Sequence, residues 1–300
     1  MSFSRWMLAC ILGGFGCGSP LPIEVGREVP DAGMDTIDAY HQYYDASGDV
    51  LPLLRATNPA NGMLVEADYD CNGAYQDPPG ASDVFPIGVD LVDEQSGAPV
   101  SNNALVAIYP EGNFGYFDNA YTDANGHIAL LRVPPMSYRV HFEIGAIGQV
   151  HTTYRNFPLP PSTTHLTLKS VSQPTLDDIG TALGMPYGTG GAVVLVTVRD
   201  CQSRLVDGAV GSIVLGLGYP DNYHIFYYGG RALPASHDQF WYTGPDGSYL
   251  AWNYQAGTDA TIEAAGFTIH QPQEITVAHV VINAIDGVGF TFVDLPPLGP

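Results

Sequence analysis

Ile87-Gly88-Val89-Asp90-Leu91-Val92-Asp93, followed by Gly97-Ala98-Pro99-Val100 and Ala104-Leu105-Val106, carries the architecture of this chain in miniature. Apolar side chains at every second position describe a strand with one face buried, and β-branched Val and Ile suit a pleated surface. Gly-Ala-Pro-Val then ends one strand in a turn and starts the next. Farther on lie Thr122-Asp123-Ala124-Asn125-Gly126, an apolar run Ile128–Leu131, Val133-Pro134-Pro135 and Tyr138-Arg139-Val140. Asn125-Gly126 supplies the positive-φ positions of a tight hairpin turn.

The same order of signals returns. Val194, Val196 and Val198 run into Asp200-Cys201, and Leu205-Val206-Asp207-Gly208-Ala209-Val210 follows. Thr243-Gly244-Pro245-Asp246-Gly247 repeats the Thr122–Gly126 turn, with a strand at Tyr249–Trp252 beyond it. Asp93 and Asp200 are 200 − 93 = 107 positions apart, whereas Gly126 and Gly247 are 247 − 126 = 121 apart. The second copy therefore holds 121 − 107 = 14 extra residues between its second strand and its turn. A repeat this long means two tandem domains rather than a solenoid.

The pattern of an apolar strand into Asp, G-x-P-V-x-x-A-x-V, T-D-x-x-G and V-P-P-x-x-Y-x-V resembles the carboxypeptidase regulatory-like domain. The first half carries it at Asp93, Gly97, Pro99, Val100, Ala104, Val106, Thr122, Asp123, Gly126, Val133, Pro134, Pro135, Tyr138 and Val140, with Met136 where that family usually has Gly. The second half matches less fully, with Leu205 in place of the Pro and no Val-Pro-Pro after its turn. The resemblance implies an all-β chain of two tandem Greek-key-type, transthyretin-like β-sandwiches acting as passive modules. Their inward positions are expected to be Val89, Leu91, Val106, Ile128, Leu130 and Val140 in one, and Val194, Val196, Val198, Val210, Leu250 and Ile262 in the other.

Composition agrees with this class. The chain has 300 residues, 45% of them hydrophobic, with 35 Gly, 24 Pro and 18 Tyr, which excludes coiled coils and helical bundles. Thirty-one acidic against 10 basic side chains give a net charge of −21, which excludes a basic nucleic-acid binder.

At the N-terminus, Arg5 precedes an apolar run from Trp6 to Phe15 that is too short to span a bilayer and reads as an export signal over residues 1–16. Gly14-Phe15-Gly16-Cys17-Gly18-Ser19 resembles the lipobox of bacterial lipoproteins, in which the cysteine is lipidated. That resemblance implies lipidation of Cys17 and a membrane partner through an N-terminal lipid, with the outer membrane or cell surface favoured by Gly18. Cleavage to a periplasmic or secreted protein is the alternative. Residues 17–50 then form a polar, acidic, disordered tether, and 51–83 a loop-rich segment with a strand at Met63–Ala67. The sandwiches are expected at 84–172 and 191–296, joined by a linker at 173–190 in which Thr175 caps a helical turn led by Asp177 and Asp178.

Cys71 and Cys201 are the two further cysteines of the mature chain. In an oxidising compartment they either bridge or lie buried separately. If bridged, they pull the Leu51–Asp83 segment onto the second sandwich. Neither belongs to a zinc spacing. The nine histidines contain no HxH or HExxH and read as surface histidines on strands, though His151 and His165 flank a turn-rich stretch and could meet in space. No calcium loop or Gly-x-Ser-x-Gly elbow is present, so no cofactor, metal or catalytic residue is expected.

The insertion of the second half is rich in aromatics. Tyr219, Tyr223, Tyr227, Tyr228 and Trp241 either stack on a ligand, as in a carbohydrate-binding module, or cover the sandwich core as strand residues. Intradiol ring-cleavage dioxygenases use a related sandwich with iron held by two Tyr and two His. Here Tyr219 or Tyr223, Tyr227, His224 and His237 supply the types without the spacing, which ranks that enzyme third. The leading expectation is a non-enzymatic envelope lipoprotein that is structural or binding, with its glycan or protein partner unspecified.

Overall fold

A computed structural model describes residues 43–44, 50–51, 53–101, 103–111, 115–185, 187, 191–215, 224–227, 243–244, 246–255, 260–268, 275–282 and 289–299. An N-terminal segment contributes β1 (Tyr43–Tyr44), β2 (Val50–Leu51), β3 (Arg55–Thr57) and β4 (Leu64–Glu66). A first unit holds β5 (Phe85–Asp93), β6 (Leu105–Pro110), β7 (Asp118–Tyr121), β8 (His127–Val133), β9 (Arg139–Gly145), β10 (Thr152–Pro158) and β11 (His165–Ser170). After helix α1 (Gln173–Leu183) comes a second unit of β12 (Gly191–Val198), β13 (Val206–Asp207), β14 (Val210–Leu215), β15 (His224–Tyr227), β16 (Ser248–Gln255), β17 (Ala260–Gly266), β18 (Ile275–Ile282) and β19 (Gly289–Leu295). The fold is an all-β sandwich architecture.

The repeat seen in the sequence is a repeat of hydrogen bonds. Thr122 accepts the Ala104 N–H on its hydroxyl (3.1 Å) and donates its own N–H to the Ala104 carbonyl (3.0 Å). Thr243 does the same with Ala209, at 3.0 and 2.8 Å. The carbonyls of Gly126 and Gly247 accept the N–H of Leu91 and Val198, at 2.8 and 2.9 Å. Both glycines have positive φ, 76° and 67°, and a Cβ at Gly126 would lie 2.8 Å from the Leu91 carbonyl oxygen. Glycine is therefore required there twice over, by conformation and by space. The first turn is not the hairpin expected from Asn125-Gly126. Asp123 Oδ1 gathers the N–H of Asn125 and His127, and β7 and β8 leave the turn in different sheets, β7 beside β6 and β8 beside β5.

The tandem units are also more closely joined than two beads on a string. One eight-stranded sheet runs β15-β16-β12-β19-β10-β9-β6-β7 through both, and the seam is a parallel pairing of β10 with β19, from Thr152 beside Phe290 to Arg155 beside Val293. Residues in register share a face, so Tyr154 stacks on Phe292 (centroids 4.5 Å apart) and Thr153 bonds Thr291 through the hydroxyls (2.8 Å). The Tyr154 face carries the first core, with Ile87, Val89, Leu91, Val106, Phe142 and Ile144. Val293 and Leu295 face the other way into the second core, with Val194, Val196, Tyr249, Ile262 and Ala264. The sheets β11-β5-β8 and β14-β17-β18 thus close the long sheet from opposite sides. Helix α1 covers what remains on the first-core side, where Leu176 and Ile179 meet Val193, Leu250, Trp252 and Phe290.

Several local expectations are corrected. Leu130 is 55% exposed, and Leu131 is buried in its place. A register shift between Ile87 and Val89 in the β5–β8 pair breaks the alternation and turns two successive residues outward. Val210 is half-buried, and Ala209 takes the core position. Ser172, not Thr175, caps α1, so Asp177 and Asp178 fall beyond the first turn. The buried Thr175 hydroxyl instead meets Ser172 Oγ and Gln95 Oε1. The segment 51–83 is less loop-like than its composition implied. Strand β3 pairs with both β4 and β13, and Leu54, Ala56, Ala67 and Tyr69 enter the second core.

Close approach at the seam depends on Gly289, where a Cβ would strike the His151 carbonyl oxygen. Backbone cannot yield as a flexible side chain does, so Gly289→Ala is expected to cost about 1–3 kcal/mol, the usual range for overpacking. Urea unfolding gives the loss, and hydrogen exchange at β9 and β17 should show both units loosened together. Loosening confined to β17 would mean that the units do not share stability through the seam.

Candidate functional site

A network of charged side chains lies where the N-terminal segment, both units and the C-terminal tail meet. Arg139, on the outer face of β9, is 9% exposed, and its Nε bonds both oxygens of Asp77 at 2.8 Å. Its Nη1 donates to the Asn156 carbonyl (2.8 Å) and reaches Asp294 Oδ1 (3.4 Å). Asp294, itself 8% exposed, pairs through its other oxygen with Arg199 Nε. The Asn156 side-chain amide donates to the Asp294 carbonyl (2.6 Å), and Asn156 adopts a positive φ of 57° where the β9–β10 register shifts. Burial would lower the Arg139 pKa, but Asp77 and Asp294 more than compensate and hold it above its ordinary value. A cleft of about 340 Å³ opens beside this network, lined by Tyr75, Asp77, Arg139, Asn156 and, from β18, His279 to Val281, with the tail at Pro296, Pro297 and Gly299.

A second cluster lies on the outer face of β11-β5-β8. Asp90 accepts from His127 Nδ1 (2.9 Å) and His165 Nε2 (2.8 Å), and the two imidazoles stack 5.9 Å apart. His165 therefore meets His127, where the sequence only leaves a meeting with His151 open beside the leading reading of surface histidines on strands. Gly88 leaves room for its ring, because a Cβ there would lie 2.7 Å from Nδ1. The bonds to His165 and His127 hold the Asp90 carboxyl below its ordinary pKa. Among the described residues, no group of three or more His, Cys, Asp or Glu is arranged to hold a metal ion.

A third feature is His141, which packs flat on Tyr109 (4.8 Å) with its Nε2 buried and unbonded, 3.5 Å from Glu143 Oε1. Burial, helped by Arg155 and His151, pushes it down to about 3. Asp246, in the turn before β16, moves oppositely, since burial raises it to about 6.

Cys71 and Cys201 are joined, with Cα atoms 6.0 Å apart and 130 positions between them. The bridge sits beside Asp200, whose carboxylate gathers the N–H of Gln202 and Arg204 on one oxygen and that of Asp68 on the other. Cys17, Tyr219, Tyr223, Tyr228, His237 and Trp241 lie outside the described residues. His224 and Tyr227 are the ends of β15, paired with Trp252 and Tyr249 of β16. Sequence reasoning missed Arg139 and Asp294 as a pair because 155 positions separate them. Asp90, His127 and His165 were individually visible as polar residues in strands, but their grouping needs the parallel β5–β11 register.

No known family matches the chain, and no curated protein does. Among solved structures it is similar to the shaft pilin SpaA of Lactobacillus rhamnosus GG, at 10% identity over 73% of this chain and 99% of that one, with a TM-score of 0.23. A streptococcal ancillary pilin follows at 13% identity, covering 71% of this chain and 62% of that one, with a TM-score of 0.21. A single-residue variant of the major pilin of Streptococcus pyogenes shows 14% identity over 62% of this chain and 82% of that one, with a TM-score of 0.17.

Two measurements probe this site. Asp294→Asn leaves the buried Arg139 with Asp77 as its one remaining carboxylate and takes the counter-charge from the part-exposed Arg199, and is expected to cost about 1–3 kcal/mol in chemical denaturation. His141, lowered to about 3 from 6.5, takes up its proton more readily when unfolded, so its contribution is present above pH 6.5 and is lost as pH falls toward 3. Asp246 acts in reverse, with its contribution present below its ordinary 3.8 and lost as pH rises through about 6. His141→Phe, which keeps the stack on Tyr109, should flatten the loss between pH 6.5 and 3. An unchanged acid limb would show that other groups govern it.

Proposed function

We propose that this chain is an exported, non-enzymatic cell-envelope lipoprotein, anchored through a lipid on Cys17, whose two carboxypeptidase regulatory-like sandwiches form a rigid structural or binding module. The observation that carries this reading is the Cys71–Cys201 bridge, because a structural disulfide closing so long a loop fits an oxidising compartment outside the cytoplasm. The loop-closure model allows it roughly 4–5 kcal/mol at most. The bridge fastens the N-terminal segment to the second unit near the base of the chain. An anchor at Cys17 would then transmit position to a body whose two halves share one sheet. The interiors of both units are filled by packed apolar side chains, which leaves loops, edges and the junction cleft as the surfaces on which function can lie.

Cell fractionation tests the anchor. Cys17→Ser should move the protein from the membrane fraction to the soluble one, and unchanged fractionation would refute lipidation at this residue. Thiol labelling of the unfolded, unreduced protein tests the compartment, with Cys71 and Cys201 expected to stay unlabelled until a reductant is added.

A further inference from the structure

The seam between the two units joins two kinds of edge, and each kind occurs once more in the same chain with no strand beside it among the described residues. In the seam, Phe290 N–H donates to the His151 carbonyl (2.9 Å), and the register Thr152 to Phe290 follows. In a parallel ladder, the outward backbone groups of β10 are then those of His151, Thr153 and Arg155. Internal equivalence identifies the matching strand of the second unit. Leu105 and Val210, each the first residue of its strand, pair with Gly145 and Ala265, and Ile144 and Ala264 pair in turn with Thr152 and Ala278. Ala278–Val281 of β18 is thus the counterpart of the seam segment Thr152–Arg155, and among the described strands β18 pairs with β17 alone.

The other kind of edge is β19, whose counterpart is β11. Each lies parallel to the first strand of its unit, with Leu168 beside Leu91 and Leu295 beside Val198. Thr164 and Ser170 carbonyls accept N–H groups from the β5 side, so His165, Thr167 and Lys169 turn their backbone groups outward. The Tyr154 hydroxyl occupies both groups of Lys169, at 2.7 and 2.9 Å. His165 and Thr167 are left, and they correspond to Phe292 and Asp294 of the seam strand.

We propose that β18 of one copy accepts β11 of a second copy, so that chains join head to tail by repeating the parallel pairing that already fuses their own two units. The chain also carries a guard for this edge. Leu298 N–H donates to the Val277 carbonyl (3.2 Å), as Phe290 does to His151, and Pro297 bridges Ala278. Asn72 secures the guard, since its Oδ1 accepts the Leu298 N–H (3.0 Å) and its Nδ2 donates to Thr276 O (3.1 Å). The N–H groups of Gly73 and Tyr75 hold the Leu298 carbonyl at 2.9 and 3.2 Å. Val281, 56% exposed, lies beyond the tail's bridge. Association therefore competes with the tail and is opposed by the shared negative charge, which makes it concentration- and salt-dependent.

Sedimentation velocity of the full chain, in detergent so that an N-terminal lipid contributes nothing, reads the assembly directly and independently of the anchoring proposal. Wild type should shift from monomer to dimers and longer species as concentration and salt rise, and Asn72→Ala should shift at several-fold lower concentration. Thr167→Pro and Val281→Pro each remove an outward N–H and leave the intramolecular ladders whole, so each alone should stay monomeric with unchanged circular dichroism. Mixed together they should give a dimer and nothing longer, because each retains the edge that the other lacks. Monomers throughout for wild type and Asn72→Ala would overturn the proposal. Oligomers of Thr167→Pro equal to wild type would overturn it as well, since β11 would not then be the donor.

Discussion

The parallel seam of β10 and β19 is the constraint on which the rest of the molecule depends. Four residue pairs make two sandwiches into one sheet, and their side chains divide by parity. Tyr154 and Phe292 close one core while Thr153 and Thr291 lie on the opposite face, toward the other. Because the two smaller sheets stand on opposite faces, the first unit cannot rotate against the second without stripping a ladder. The charges at the end of the seam follow from the same placement. Arg139 from one unit and Asp294 from the other are brought together largely buried, and Asp77 and Arg199 complete the balance. Buried ion pairs add little net stability over apolar packing, but losing one partner is severe, so such a network fixes a specific junction.

The N-terminal segment is held by the same logic of distant partners. Strands of three residues have too little periodicity to announce themselves, and their pairing is with β13 and with each other. Their apolar residues reach the second core because the disulfide and the Asp200 carboxylate, which accepts the Asp68 N–H (3.1 Å), hold the chain there. The segment then passes beside Arg139 through Asp77 before the first unit begins. A tether that contacts both units in this way ties them together a second time, on the face where the seam leaves its charges.

What could be read from the sequence, and what could not, divides by range. Period-two alternation at Ile87, Val89 and Leu91, and the Thr and Gly of each turn, are local signals tied to local hydrogen bonds, and they located most strands of the repeat. Leu130 was misplaced because a one-residue register shift reverses every later side chain, and nothing in a single strand's sequence marks where its partner slips. The cap of α1 shifted by three residues because Ser172 and Thr175 are chemically equivalent caps, and burial of Thr175 against Gln95 decided between them. The seam, the Arg139–Asp294 pair and the Asp90–His127–His165 group join residues from different strands, and no spacing rule reports them.

The internal repeat also explains why the two units end differently. Each has a next-to-last strand, β10 or β18, whose outward edge needs a partner, and an unpaired edge invites another chain. In the first unit the partner is a whole strand, β19, and the result is a permanent joint. In the second it is a short tail whose Leu298 N–H takes the place that Phe290 takes in the seam, but running the other way and covering less of the strand. One kind of edge thus receives two treatments of very different strength. That difference matches the extent of pairing, since β19 lies along four residues of its neighbour while the tail bridges Ala278. The weaker closure falls on the strand that lines the junction cleft, so the Arg139 network and the tail-guarded edge lie side by side.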